Sequence, residues 1–223
     1  MIFRFLIGVI LLLKAGYAFD VILDIGHTPK KSGAISASCK KEHELNLALG
    51  KYLIAHATEK SAIELNMLAN EEITFQERYA SSSHKNLFLS LHHDSVQERY
   101  IKKNSFGCPT TENISGFSIF ISRKNPYFKQ SLIYAKRFAD ALVSQGLTPS
   151  FHHAEKIEGE NRELLDPRRG IYVFDDLKVL KNTKSPALLF EAGVIVNPKE
   201  ETYLNSNEFK KKVANAIEAI PLK

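Results

Sequence analysis

Short apolar runs alternate with longer stretches whose apolar residues recur at helical spacing, and that alternation narrows the fold more than any other feature. Asp20–Ile25 (DVILDI), Glu64–Leu68, Leu87–Leu91 (LFLSL), Gly116–Ser122 (GFSIFIS) and Ala187–Phe190 (ALLF) read as strands. Between them, Glu42–His56 carries Leu45, Leu49, Tyr52, Leu53 and His56 on one helical face. Thr74–Ser83 reads as a short helix, and Tyr127–Gln145 sets Phe128, Leu132, Ala135, Ala139 and Leu142 in one stripe that stops at Gly146. Phe209, Val213, Ala216, Ile217 and Ile220 line a closing helix. Strands alternating with helices predict an α/β fold, a single domain with a largely parallel mixed sheet flanked by helices. Two polar stretches, Val96–Ser115 and His152–Gly170, take no assignment; loops of that length in a compact domain read as functional rims.

Composition bounds what such a domain does. With 223 residues, 44% hydrophobic and 25% charged, the chain has the make-up of a folded domain and is long enough to bury a core without a metal or disulfide. Residues 1–18 (MIFRFLIGVILLLKAGYA) place Arg4 before the apolar run Phe5–Leu13, with small residues at Gly16 and Ala18. This is the pattern of a secretory signal peptide, leaving a domain over 19–223 that is exported, to the periplasm rather than the exterior. The apolar run is too short for a spanning helix, so stable membrane insertion is not expected. Losing Arg4 and Lys14 lowers the formal net charge from +5 to +3. A mildly basic surface suits an anionic polymer, but no basic stripe interleaved with aromatics argues for nucleic acid. Cys39 and Cys108 would both enter an oxidising compartment, where the even count admits a disulfide and equally two free thiols.

Three of the apolar strands run straight into residues that bind metals or move protons: Asp24-Ile25-Gly26-His27, Leu91-His92-His93-Asp94 and Phe190-Glu191. In open α/β sheets the ligand crevice lies beyond the carboxyl ends of the strands. If these strands are parallel neighbours, His27, one of His92 and His93, and Glu191 meet along that edge, with Glu42 reaching it from the start of the first helix. Two imidazoles and a carboxylate make a catalytic zinc set with one coordination position open. A further carboxylate is what amide hydrolysis then requires, to take a proton from water and deliver it to the leaving nitrogen. Spacing alone leaves His92 and His93 as rivals, and Glu42 and Glu44 likewise. Asp24 reads either as a partner for a metal-bound imidazole or as a cap on the following turn. Ser90 and Asp94 suggest a serine hydrolase only weakly, because no G-x-S-x-G elbow is present.

The same segments resemble the zinc-dependent N-acetylmuramoyl-L-alanine amidases of the type 3 family, which cut peptidoglycan. Asp24-Ile25-Gly26-His27 followed by Ser32-Gly33-Ala34 is similar to D-P-G-H…G-A, and Glu42-His43-Glu44-Leu45-Asn46-Leu47-Ala48 to E-x-x-x-N-L-A. Arg78-Tyr79-Ala80 is similar to the start of R-x-x-x-A-N, with Ser82 and Ser83 in place of Ala and Asn. Leu87–Ser95 is similar to L-F-I-S-I-H-A-D-S. Pro186–Gly193 with Asn197-Pro198-Lys199-Glu200 matches P-A-x-L-x-E-x-G…N-x-x-E. Ile25, Thr28 and His93 depart from the pattern, at Pro, Gly and Ala positions respectively. Carried over position by position, the resemblance implies His27, Glu42 and His92 as zinc ligands and Glu191 as the catalytic carboxylate. It implies cleavage of the amide between the lactyl group of N-acetylmuramic acid and L-Ala of the stem peptide, with His93 left as a rim residue. Some relatives block their zinc until a protein activator acts. Val96–Ser115, or Ala154–Asp166 with Glu155, Glu158, Glu160 and Glu163, reads first as an ordinary substrate-binding loop and second as such a blocking element. Two rival readings keep the scaffold: an exported zinc peptidase cutting within stem peptides, and a catalytically silent wall-binding protein.

Overall fold

The computed structural model describes residues 18–57, 63–68 and 73–221. The expected signal peptide therefore lies outside the described residues apart from Ala18. In chain order the elements are β1 (Phe19–Ile25), α1 (Glu42–Ala57), β2 (Ile63–Leu68), α2 (Phe75–Ala80), β3 (Leu87–Asp94), β4 (Lys102–Lys103), β5 (Pro109–Thr110) and β6 (Ser118–Ile121). They continue with α3 (Phe128–Ser144), β7 (Glu163–Asp166), β8 (Ile171–Val173), α4 (Lys178–Asn182), β9 (Ala187–Val194), α5 (Pro198–Leu204) and α6 (Asn207–Glu218). Seven strands form one mixed sheet in the order β2-β1-β3-β9-β6-β8-β7. β2, β1, β3 and β9 run parallel, β6 is antiparallel to β9, β8 is parallel to β6, and β7 closes the edge antiparallel to β8. The architecture is the α/β layer structure the alternation predicted.

Side-chain alternation sorts the strands into two cores. On one face, Val21, Leu23 and Ile25 of β1 and Leu87, Leu89 and Leu91 of β3 meet Leu45, Leu49 and Leu53 of α1, Phe138 and Leu142 of α3, and Val213 and Ile217 of α6. On the other, Ile22, Phe88, Phe120, Tyr172 and Leu189 pack beside Val179 and Leu180 of α4. Five of the six described helices, all but α4, begin or end on a local signal. Glu42 and Glu44 complement the dipole of α1, Thr74 and Glu77 form a reciprocal capping box on α2, and Gly146 leaves α3 at φ +87°. Asn197 caps α5 ahead of Pro198, and Ser206 caps α6.

The two unassigned stretches do have structure. Val96–Ser115 contains the β4–β5 hairpin, and His152–Gly170 contributes β7 to the sheet. Cys39 and Cys108 form a disulfide that ties this hairpin to the segment before α1. Asn104 adds a hydrogen bond from Nδ2 to the Ala37 carbonyl, 2.8 Å. Among the described residues, no helix is long and apolar enough to cross a membrane.

Candidate metal centre

β1, β3 and β9 are adjacent and parallel, so the residues that follow their apolar runs gather at one edge of the sheet. His27 leaves β1 at φ +64°, a left-handed conformation that turns the chain sharply. Glu42 opens α1 and points back at the same place. His27 Nε2 lies 3.0 Å from Glu42 Oε2, and His92 Nδ1 lies 3.0 Å from Glu42 Oε1. One donor atom from each of the three lies within 4.8 Å of the others. The two rings approach edge to face with centroids 4.9 Å apart. Donors spaced this way suit an ion that binds nitrogen and oxygen at about 2 Å.

Backbone geometry makes room for the trio. A Cβ on Gly26 would lie 2.5 Å from the His92 ring, and one on Gly33, at φ +77°, would overlap Glu42 Oε2. Ala34 N–H donates to Glu42 Oε2 at 3.0 Å, and Asn46 Nδ2 donates to Glu42 Oε1 at 3.3 Å. Burial alone would raise the Glu42 pKa. Hydrogen bonds from His27 and His92 and their charges override it and hold this carboxyl far below the usual range, so it is a fixed anion. Glu44, its rival by spacing, is exposed on the next part of the helix.

His93 is not a rim residue. Its side chain takes the opposite face of β3 from His92, is only 3% exposed, and bonds Asn46 Oδ1 through Nδ1 at 2.7 Å. Burial pushes its pKa down to about 4, so it is a neutral core imidazole. Asp24 also differs from both readings of it. Its carboxylate accepts from Arg78 Nη1 and from Ser90 Oγ, the latter at 2.6 Å, and no imidazole hydrogen-bonds it among the described residues. The same buried guanidinium reaches the Ile25 carbonyl at 2.6 Å and the His27 carbonyl at 2.5 Å. Arg78 therefore holds the turn that carries His27, a role that reading the chain in sequence did not assign to it. Its i, i+1 neighbours show only a short helix; the signal was a lone arginine opposite an aspartate on an otherwise apolar strand.

Glu191 is the in-register neighbour of His92 on β9, and Ser118 is its partner on β6. Because in-register neighbours point to the same face, the carboxyl stands beside the trio on the His92 side. Its Oε2 is shielded from solvent and has no hydrogen-bond partner. Burial, with the Asp94 and Glu42 charges, raises its pKa well above the ordinary carboxylate value, against a smaller opposing effect of His153.

The glutamates proposed as blockers are engaged elsewhere. Glu155 pairs with Arg99 and Tyr100, Glu160 with His153, and Glu163 with Arg123. Glu158 is exposed. None of the four belongs to the group of donors around Glu42.

A parallel-sheet edge with two imidazoles and a carboxylate, beside a buried carboxyl, defines the class: an α/β fold with a candidate His–Glu–His metal site. The family profile for N-acetylmuramoyl-L-alanine amidase (Amidase_3) matches residues 21–220, and the chain belongs to that family. It is 26% identical over 215 residues to a putative N-acetylmuramoyl-L-alanine amidase of Buchnera aphidicola subsp. Schizaphis graminum, covering 88% of this chain and 92% of that one. Its identity to the N-acetylmuramoyl-L-alanine amidase AmiA of Escherichia coli is 24% over 225 residues, covering 92% and 75%. In structure it is similar to an N-acetylmuramoyl-L-alanine amidase of Clostridium difficile 630, at a TM-score of 0.67 and 20% identity over 90% of this chain and 93% of that one. The catalytic domain of CwlV from Bacillus (Paenibacillus) polymyxa var. colistinus superposes at 0.63, with 24% identity over 90% and 94%.

Proposed function

We propose that this amidase hydrolyses the bond between the lactyl carbonyl of N-acetylmuramic acid and L-Ala of the stem peptide, with His27, Glu42 and His92 holding zinc and Glu191 carrying the proton. The donor set supports this choice of metal: two imidazole nitrogens and one carboxylate are a borderline-soft set that suits zinc better than calcium or magnesium. Zinc held there supplies Lewis-acid polarisation of the scissile carbonyl and lowers the pKa of a water from about 15.7 to about 7. Glu42, always ionised, keeps one negative charge beside the two imidazoles. The Arg78 bond to the His27 carbonyl fixes that ligand's backbone. Glu191 Oε2, free of partners, takes a proton from the attacking water and passes it to the stem-peptide nitrogen as the C–N bond breaks. A carboxyl whose pKa is raised is suited to the second half of that exchange, because it holds the proton until the leaving amine takes it.

The observation that carries this reading is the pairing of His92 with Glu191 across adjacent parallel strands, which sets the proton carrier beside the donor trio. The substrate lies outside the cytoplasmic membrane, and the Cys39–Cys108 bond is consistent with an oxidising compartment. We place the enzyme in the periplasm after loss of residues 1–18. Digestion of purified peptidoglycan, followed by mass analysis, tests the bond: intact stems beginning with L-Ala are expected. Fragments cut within the stem would replace this reading with the peptidase one. Glu191→Gln is expected to lower the rate by about 10²–10⁴-fold with metal content unchanged; a variant that still releases stems at the original rate would remove Glu191 from the mechanism.

A further inference from the structure

A second set of donors shares no residue with the trio. Asp94 ends β3 on the same face as His92, across a shift in register. His152 and His153 come from a single 3-10 turn, His152–Ala154, in the stretch that carried no sequence assignment. Asp94 Oδ2 lies 2.8 Å from His153 Nε2 and 3.2 Å from His152 Nε2, and the three donors all lie within 4.8 Å of one another. The imidazole rings are 4.0 Å apart between centroids.

Outer partners occupy the other ring nitrogens. Ser150 Oγ is 2.8 Å from His152 Nδ1, and Glu160 Oε2 is 2.9 Å from His153 Nδ1. The Glu160 carboxylate can only accept, so at His153 it favours the tautomer that leaves a lone pair on Nε2, the arrangement found behind metal-binding histidines; the Ser150 hydroxyl sits at the same ring position of His152. His152 differs from its neighbours in its polar partners. The residue is 4% exposed, and its Nε2 makes no hydrogen bond although it is aimed at Asp94. Buried ring nitrogens are normally satisfied, so this one points to a missing partner between the two histidines and the aspartate.

We propose that Asp94, His152 and His153 form a second metal site, for a divalent ion of the zinc class. Two nitrogens and one oxygen favour zinc and its transition-metal neighbours over magnesium or calcium. Donor atoms on an ion with bonds of about 2 Å lie roughly 3.3 Å apart in tetrahedral geometry, close to the 2.8 and 3.2 Å from Asp94 to the two imidazoles. The side chains of His152, Asp94 and His153 are 2%, 9% and 13% exposed, which suits a structural ion. Bound there, it would fasten the His152–Ala154 turn to the end of β3 beside Glu191.

The test counts zinc in the full chain, purified, stripped and reloaded, by elemental analysis against protein concentration. Two ions per chain are expected, falling to one in His152→Ala and to one in His27→Ala. One ion per chain that survives His152→Ala and disappears in His27→Ala would overturn the second site and leave the proposed catalytic one standing. One ion with the opposite pattern would support the second site and sink the first. Two ions unaffected by His152→Ala would also overturn it. Should His152→Ala fail to fold, anomalous scattering from a zinc-soaked crystal of the unmodified chain decides: a peak among these three residues supports the site, and its absence overturns it, leaving a His153 imidazolium held between Asp94 and Glu160.

Discussion

Arg78 shows how one side chain links stability to the candidate metal centre. It is buried, it is the charge partner of Asp24, and it bonds the carbonyls of Ile25 and His27. Arg78→Met would leave the Asp24 carboxylate buried without its cation, at a cost of about 3–5 kcal/mol in denaturant unfolding. Arg78→Lys restores a charge but not a fork that spans three acceptors. It is expected to recover part of that stability while zinc affinity at His27 still falls by about 10–100-fold in competitive titration. Equal affinity in Arg78→Lys and the unmodified chain would show that the His27 turn needs no such support. Gly33 gives a second residue-scale prediction. Gly33→Ala combines a left-handed φ with overlap against Glu42, whereas Gly146→Ala at φ +87° meets open space. Both should lose about 1–2 kcal/mol from backbone strain, but only Gly33→Ala should also lose metal. At this scale the residue types were readable in sequence, and their partners were not. Glu42 and Glu44, or His92 and His93, are the same chemistry one or two positions apart, and only the direction of each side chain separates them.

At the scale of elements, Glu200 on α5 reaches back to the sheet. Its Oε1 accepts from Gly116 N–H at 2.7 Å and its Oε2 from Val194 N–H at 3.0 Å. Burial raises its pKa to about 7 against those two bonds. A folded-state value above the unfolded one of 4.5 means that the folded chain keeps this proton while the unfolded chain releases it. The contribution is therefore fully present below about pH 4.5 and is lost as pH rises to about 7, by at most about 3 kcal/mol. The difference in stability between Glu200→Gln and the unmodified chain should change over that window and level off above it, on top of a constant cost of about 1–3 kcal/mol for one backbone N–H left facing the amide NH₂. A pH-independent difference would remove Glu200 as the titrating group. The elements themselves were legible where period and cap agreed, as in α1, α3 and α6. Thr74–Ser83 contracts to Phe75–Ala80 because the Thr74 and Glu77 side chains close the first turn and Ser81–Ser83 continue only as turns. β7, β8 and α5 escaped because three to seven residues carry too little periodicity to register.

For the molecule as a whole, the Cys39–Cys108 bond spans a sequence separation of 69 and closes the chain around α1 and β3. In the chain-entropy description such a loop contributes up to roughly 4 kcal/mol. The double variant Cys39→Ser/Cys108→Ser should unfold at lower denaturant and should no longer respond to reductant, while the unmodified chain should approach its midpoint when reduced. Matching midpoints with and without reductant in the unmodified chain would mean that the bond restrains little. The bond also straps the segment carrying Gly33 and Ala34, so the variant should bind zinc more weakly at the trio.

The chain's own order of apolar runs and helical stripes was enough for the α/β class, for strand ends that carry His27, His92 and Glu191, and for the blocks that mark the family. Those are properties of neighbours along the chain, and local propensity with period-2 or period-3.6 burial encodes them directly. Which glutamate faces the imidazoles, that Asp24 belongs to Arg78, that His93 is core, and that His152 and His153 converge on Asp94 were decided only when strands far apart in sequence came into register. A register assigns every side chain to a face, and it is set by the packing of the whole sheet.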